Sequence, residues 1–229
     1  MQMEDIELKI SLLQTEPTFK DINLAAGKIQ NLAAKAVSQK KRPNILVAPR
    51  IFSTQHINTS FDPTVELLKN TATRCRITVI SFDVFNKVYA ADPNGNIIAS
   101  CTKSCEAKDE TMVFRVDGVC CGIAPISNLK FPEAIKQSAA LGAKVLFVLG
   151  AWPKSKEIYW KLLNIVRAIE NQFFIVALNQ FEKQTAFIVI DPWGRVVAEN
   201  KGSGVFTTVI NIGQIDAAKS QSILYTETN

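Results

Sequence analysis

The chain has 229 residues, 47% of them hydrophobic, which is enough for one sizeable core with no need of disulfide or metal staples, so a single domain over 1–229 is expected. Its net charge of +5 is dispersed, and the KKR run at 40–42 has no aromatic platform beside it, so it reads as a solvated helix end and not as a nucleic-acid partner's footprint. Five scattered cysteines, no apolar N-terminal segment and no apolar run of membrane-spanning length predict a cytoplasmic chain with reduced thiols, no membrane partner and no cofactor.

Strands and helices alternate along the chain. Residues 8–13 predict a strand, and 21–39 a helix with Ile22, Ala25, Ala26, Ile29, Leu32, Ala33 and Ala36 on one stripe. A strand at 44–48 follows. Asp62 and Pro63 then look like the N-cap and first turn of a helix to about Thr73. Strands are expected at 77–82, 87–92 and 96–101, and 104–118 reads as a loop in which exposure is the favoured reading of Glu106, Asp109 and Glu110 over a place in a pocket. Val119 to Ala124 is a small, apolar run suited to a strand covered on both faces. Pro132 fits the first position of a helix that Gly142 ends, after which 145–149 resumes a buried strand. Ser155 is placed to cap a helix over 156–171, followed by a strand at 173–178, and the polar C-terminal tail is expected to fray. Asp92–Gly95 and Asp191–Gly194 are matching Asp-Pro-x-Gly reversals, an internal echo that suggests two halves of the same order.

The bend between the 119–124 strand and Pro132 is where an open α/β sheet usually places a ligand or nucleophile. It reads ISNLKFPE at 126–133, and the closing Phe131, Pro132 and Glu133 resemble the end of the elbow motif of the nitrilase, or carbon-nitrogen hydrolase, superfamily. GAWP at 150–153, Tyr159–Trp160, the Arg167–Gln180 run and the Asp191–Glu199 hairpin are similar to further motifs of that family in the same order. The resemblance implies a four-layer αββα sandwich.

It also implies a set of catalytic positions, and here the chain departs from the family. Counted back from Phe131, Ile126 stands where the family has its nucleophilic cysteine, with Ser127 and Asn128 at its tyrosine and aspartate. Arg50 stands where the general-base glutamate is expected, while Lys103 fits the oxyanion-stabilising lysine. An isoleucine offers no lone pair, and a guanidinium stays protonated, so neither can do its predecessor's work. Cys120 and Cys121 sit too far back along their strand to substitute and read as core residues. Ser127 lacks a base, since the single histidine, His56, falls in a polar loop. Cys101 and Cys105 lack the second ligand pair of a zinc site.

The expectation is therefore a degenerate family member with a binding, regulatory or oligomeric-partner role. The alternative is an active amidase or nitrilase with a relocated nucleophile. Arg50 and Lys103 suit a small carboxylate or phosphate, with Ser127, Asn128 and Trp152 at the pocket edge; the competing reading has Ile126 packing the pocket shut while Arg50 turns to solvent or meets a loop acid. Family resemblance further implies a homodimer through outer helices, with 156–171 as a candidate surface.

Overall fold

The described residues form two six-stranded mixed sheets. The computed structural model describes residues 6–15, 22–50, 63–102, 112–181 and 184–221. One sheet takes β1 (Glu7–Gln14), β2 (Ile45–Val47), β3 (Thr78–Phe82), β4 (Val88–Ala91), β5 (Ile97–Cys101) and β12 (Gly204–Asn211), in the order β12-β1-β2-β3-β4-β5. The other takes β6 (Val113–Val116), β7 (Val119–Pro125), β8 (Val145–Gly150), β9 (Phe174–Gln180), β10 (Thr185–Ile190) and β11 (Val196–Gly202), in the order β11-β10-β9-β8-β7-β6.

Strand alternation assigns the layers. On β9, Phe174, Val176 and Leu178 face the core between the sheets, while Ile175 and Ala177 lie under the outer helices, as period-two side chains require. Helices α1 (Ile22–Val37) and α2 (Thr64–Cys75) cover the first sheet, and α3 (Pro132–Ala140) and α4 (Glu157–Asn171) the second. The result is the αββα sandwich.

The internal echo extends beyond its two turns. Read from β5, the first sheet's pairings run antiparallel, antiparallel, parallel, parallel, antiparallel, and the second sheet repeats that series from β11. Both Asp-Pro-x-Gly hairpins also carry a register shift just before the aspartate. In each, the Asp92 or Asp191 carboxylate accepts backbone N–H bonds from two turn residues, and the glycine sits at positive φ, +83° at Gly95 and +84° at Gly194.

Three expectations need correcting. The 104–118 segment is not all loop: Val113–Val116 is β6, joined to β7 by Asp117 and Gly118, both at positive φ. That Asp-Gly pair was the overlooked hairpin signal. Ser155 does not cap α4, because residues Lys154–Lys156 form a 3-10 turn and Lys156 is the N-cap, with no side-chain bond. Pro63, not Asp62, is the N-cap of α2, which runs on to Cys75; Asp62 itself lies outside the described residues. The last described element is α5 (Gln214–Gln221), which buries Ile215 and Ala218; residues 222–229, on which the expectation of a frayed tail falls, lie outside the described residues.

Helix α4 is inverted in character. Its buried stripe is Trp160, Asn164, Arg167 and Ala168, at the spacing of one helical face. Outward it presents Ile158, Tyr159, Leu162, Val166 and Ile169, with Ile158 68% exposed. No helix among the described residues is long and apolar enough to cross a membrane.

Candidate functional site

Two prolines shape the elbow. Strand β7 ends on Pro125 in an extended conformation, Ile126–Lys130 make a short 3-10 turn, and Phe131 is held extended because it precedes Pro132. The turn therefore cannot run on smoothly into α3. Ile126, at its start, is 1% exposed and packs in the apolar layer with Ala124, Leu129, Ile135 and Val148. Gly150, at the end of the adjoining parallel strand β8, makes room for it: a Cβ there would fall 2.2 Å from Ile126 Cγ2 and 2.8 Å from its Cβ. The hydrocarbon fills the bend.

The rest of the turn is held by polar anchors. Arg167, only 5% exposed, donates from Nε and Nη2 to the Leu129 carbonyl at 3.1 and 2.9 Å, and from Nη1 to Glu170 at 2.7 Å. Asn128 is buried, with Nδ2 4.0 Å from the Cys101 sulfur and no partner for Oδ1 among the described residues. Ser127 Oγ is likewise buried without a described partner. Trp152 donates its backbone N–H to Asn179 Oδ1 at 2.8 Å, and Lys130 Nζ lies 5.5 Å from the Trp152 ring centre.

Arg50 follows β2 at the same end of the sandwich. Its guanidinium carbon sits 5.8 Å from the Phe82 ring centre, and its carbonyl accepts a hydrogen bond from Gln180 Nε2 at 3.3 Å, tying the chain just after β2 to the end of β9. It is half-buried and packed on an aromatic face, while the loop acids that the competing reading paired with it lie outside the described residues. Lys103, His56, Cys105, Glu106, Asp109 and Glu110 lie outside the described residues. Among those described, no cluster of three or more His, Cys, Asp or Glu offers a metal site.

The paired cysteines divide between faces. Cys121 belongs to the core between the sheets, and burial, with a smaller contribution from Cys120, pushes its thiol far above the ordinary range. Cys75, on α2, is also raised by burial, despite Arg74 and Arg42 acting to lower it. Neither is a ready thiolate.

A family profile described as carbon-nitrogen hydrolase matches residues 9–225. The chain belongs to the carbon-nitrogen hydrolase family. A 2-oxoglutaramate amidase of Bacillus subtilis is 31% identical over 194 residues, an alignment covering 70% of this chain and 75% of that protein. A hydrolase in the agr operon of Staphylococcus aureus is 34% identical over 96 residues, covering 39% of this chain and 37% of its own. Among solved structures, a carbon-nitrogen hydrolase superfamily protein of Xanthomonas campestris superposes with a TM-score of 0.79 at 18% identity, covering 98% of each chain. Nit3 of Saccharomyces cerevisiae, of the nitrilase superfamily, gives 0.79 at 16% identity, covering 99% of this chain and 98% of its own. Those two likenesses establish the nitrilase-type sandwich.

Within this family member the sequence points to Arg50, Ile126, Ser127, Asn128 and Trp152, and Ile126, Ser127 and Asn128 share the one bend. It had not assigned Gly150 its space-making part, Arg167 its hold on the elbow, or Cys101 its contact with Asn128. A signal existed for Arg167: it stands on the helix face shared by Trp160 and Ala168, an odd place for a solvated charge.

Proposed function

We propose that this carbon-nitrogen hydrolase homologue does not cleave carbon-nitrogen bonds and works through binding, as a partner subunit or a small-anion sensor. The observation that carries the reading is the seat of Ile126 against Gly150, a saturated side chain where the family resemblance expects a thiol. Covalent attack on an amide carbon needs a lone pair at that bend, and proton removal needs a base. Isoleucine supplies no lone pair, and Arg50 brings a permanent cation where a carboxylate would serve. With the hydrocarbon filling the bend, any anion site is confined to the Arg50 side of the elbow.

The expected result is no turnover of 2-oxoglutaramate or of a panel of simple amides and nitriles, by the parent chain or by Ile126→Cys, whose new thiol would have an arginine and not a carboxylate at the base position. Turnover by the parent chain that a thiol-alkylating reagent abolishes overturns this reading. One observation favours the alternative, a relocated nucleophile: the Cys101 sulfur reaches Asn128 in the elbow. An amide cannot take the thiol's proton, which counts against it. Cys101→Ser would identify that sulfur if alkylation-sensitive turnover were found.

The subunit role draws on α4. A helix that buries an arginine and an asparagine while exposing Ile158, Tyr159, Leu162, Val166 and Ile169 suits a face covered by a second copy. Light scattering should give a dimer mass for the parent chain and a monomer mass for Leu162→Glu. A parent chain that stays monomeric at micromolar concentration removes this part.

A further inference from the structure

Asn94 is the only asparagine in the chain that precedes a glycine. Glycine has no Cβ to shield its backbone nitrogen, so that nitrogen can reach the preceding side-chain carbonyl and close a five-membered imide, which makes such an asparagine thermolabile. The Asn94 side chain is exposed on the turn between β4 and β5, at the end of the sandwich opposite the elbow. The turn nevertheless holds both reacting residues in place. Gly95 N–H donates to the Asp92 carbonyl at 2.9 Å, and Asn94 N–H donates to Asp92 Oδ1 at 2.9 Å. The same carboxylate accepts the Asn96 N–H at 2.9 Å on Oδ1 and Asn96 Nδ2 at 3.1 Å on Oδ2. Gly95 is also pressed against α2, where a Cβ would fall 2.7 Å from Thr73 Oγ1. For its nitrogen to attack, the Gly95 N–H must leave the Asp92 carbonyl and the turn must open.

We propose that Asn94 is a site of spontaneous deamidation and that the Asp92 carboxylate guards it by keeping the turn shut. In the opened turn the Gly95 nitrogen gives up its proton to hydroxide and attacks Asn94 Cγ. The new N–Cγ bond forms, the Cγ–Nδ2 bond breaks, and the amide nitrogen leaves as ammonia. Water then opens the imide, at Cγ to give aspartate or at the main-chain carbonyl carbon to give isoaspartate. Isoaspartate routes the main chain through Cβ and Cγ, one atom longer than before, so the turn cannot close in the register set by the Asp92 N–H bond to the Asn96 carbonyl at 2.9 Å. Either product adds a negative charge close to the Asp92 carboxylate. The change runs one way and loosens the hairpin. The matching turn at 191–194 is held by the same Asp191 bonds but carries Trp193 at the reactive position, so it is inert. None of this chemistry uses the elbow, and the proposal stands apart from the loss of cleavage.

The test holds the intact chain, Asp92→Ala, Asp92→Asn and a free peptide of residues 91–99 side by side in warm, mildly alkaline buffer. Peptide mapping by mass then locates the loss of ammonia and separates isoaspartate from aspartate. The peptide should react fastest and the intact chain at least about tenfold more slowly, since the reaction waits on a local opening. Asp92→Ala should fall between them. Asp92→Asn, whose side-chain carbonyl still accepts the Asn94 and Asn96 N–H groups, should stay close to the parent rate. An intact chain that reacts as fast as the peptide overturns the proposal. So does an Asp92→Ala chain no faster than the parent, an Asp92→Asn chain as fast as the peptide, or an Asn94 unchanged in every chain once the peptide is converted.

Discussion

Replacing Gly150 with alanine should destabilise the chain by about 3 kcal/mol, at the upper end of the usual cost of overpacking a tight core. The added methyl would stand 2.2 Å from Ile126 Cγ2, a separation that only movement of the elbow or of β8 can relieve. For a domain of this size that loss corresponds to a fall in Tm of roughly 6–12 °C. The decisive comparison is the double variant. Ile126→Ala alone should cost about 2–5 kcal/mol by leaving a cavity. Combined with Gly150→Ala, which partly fills that cavity, the total should be clearly smaller than the sum of the single losses, because the two sites share one space. Thermal and denaturant melts of the four chains test this. Strict additivity would mean that Ile126 and Gly150 do not compete for the bend.

The second large effect is expected at Arg167. Arg167→Met keeps an unbranched stem, somewhat shorter, but removes both donors to the Leu129 carbonyl. A loss of about 3 kcal/mol is expected, since hydrogen bonds from charged donors each contribute about 1.5–3 kcal/mol and the pair is not fully additive. Arg167→Lys should recover little, because an ammonium cannot reproduce the planar fork that reaches Leu129 and Glu170 together. The local signature is faster hydrogen exchange at the Phe131 amide, which closes the elbow on the Asn128 carbonyl at 2.9 Å. Unchanged stability and unchanged exchange in Arg167→Met would show that the elbow holds without this clamp.

Much of this architecture was legible because two signals are strong in the chain. Apolar runs such as 145–149 and 173–178 are separated by helical stretches, and the two Asp-Pro-x-Gly turns mark equivalent hairpins. The misses have physical causes. β6 is only Val113–Val116, with Arg115 exposed, so its alternation is too short to stand out, although the Asp117–Gly118 turn announced it. Ser155 satisfied a capping rule, yet a 3-10 turn placed ahead of α4 moved the boundary to a lysine. At the site, position alone located Ile126 and Arg50. Gly150 could be read only as part of a motif, because the space a glycine leaves is a property of what packs against it. Arg50 stacking on Phe82 likewise depends on β2 and β3 lying side by side, which no local pattern encodes.

The pairing of β1 with β12, from Glu7 against Asn211 to Gln14 against Gly204, sets an order of events during synthesis. The second sheet draws all its strands from one contiguous stretch, 113–202, and has every partner available once that stretch has left the ribosome. The first must wait for its final strand, and until then β1, carrying Leu8, Ile10, Leu12 and Leu13, remains an uncovered edge open to mispairing with another nascent chain. The first strand of this sheet to be made is thus among the last to be protected.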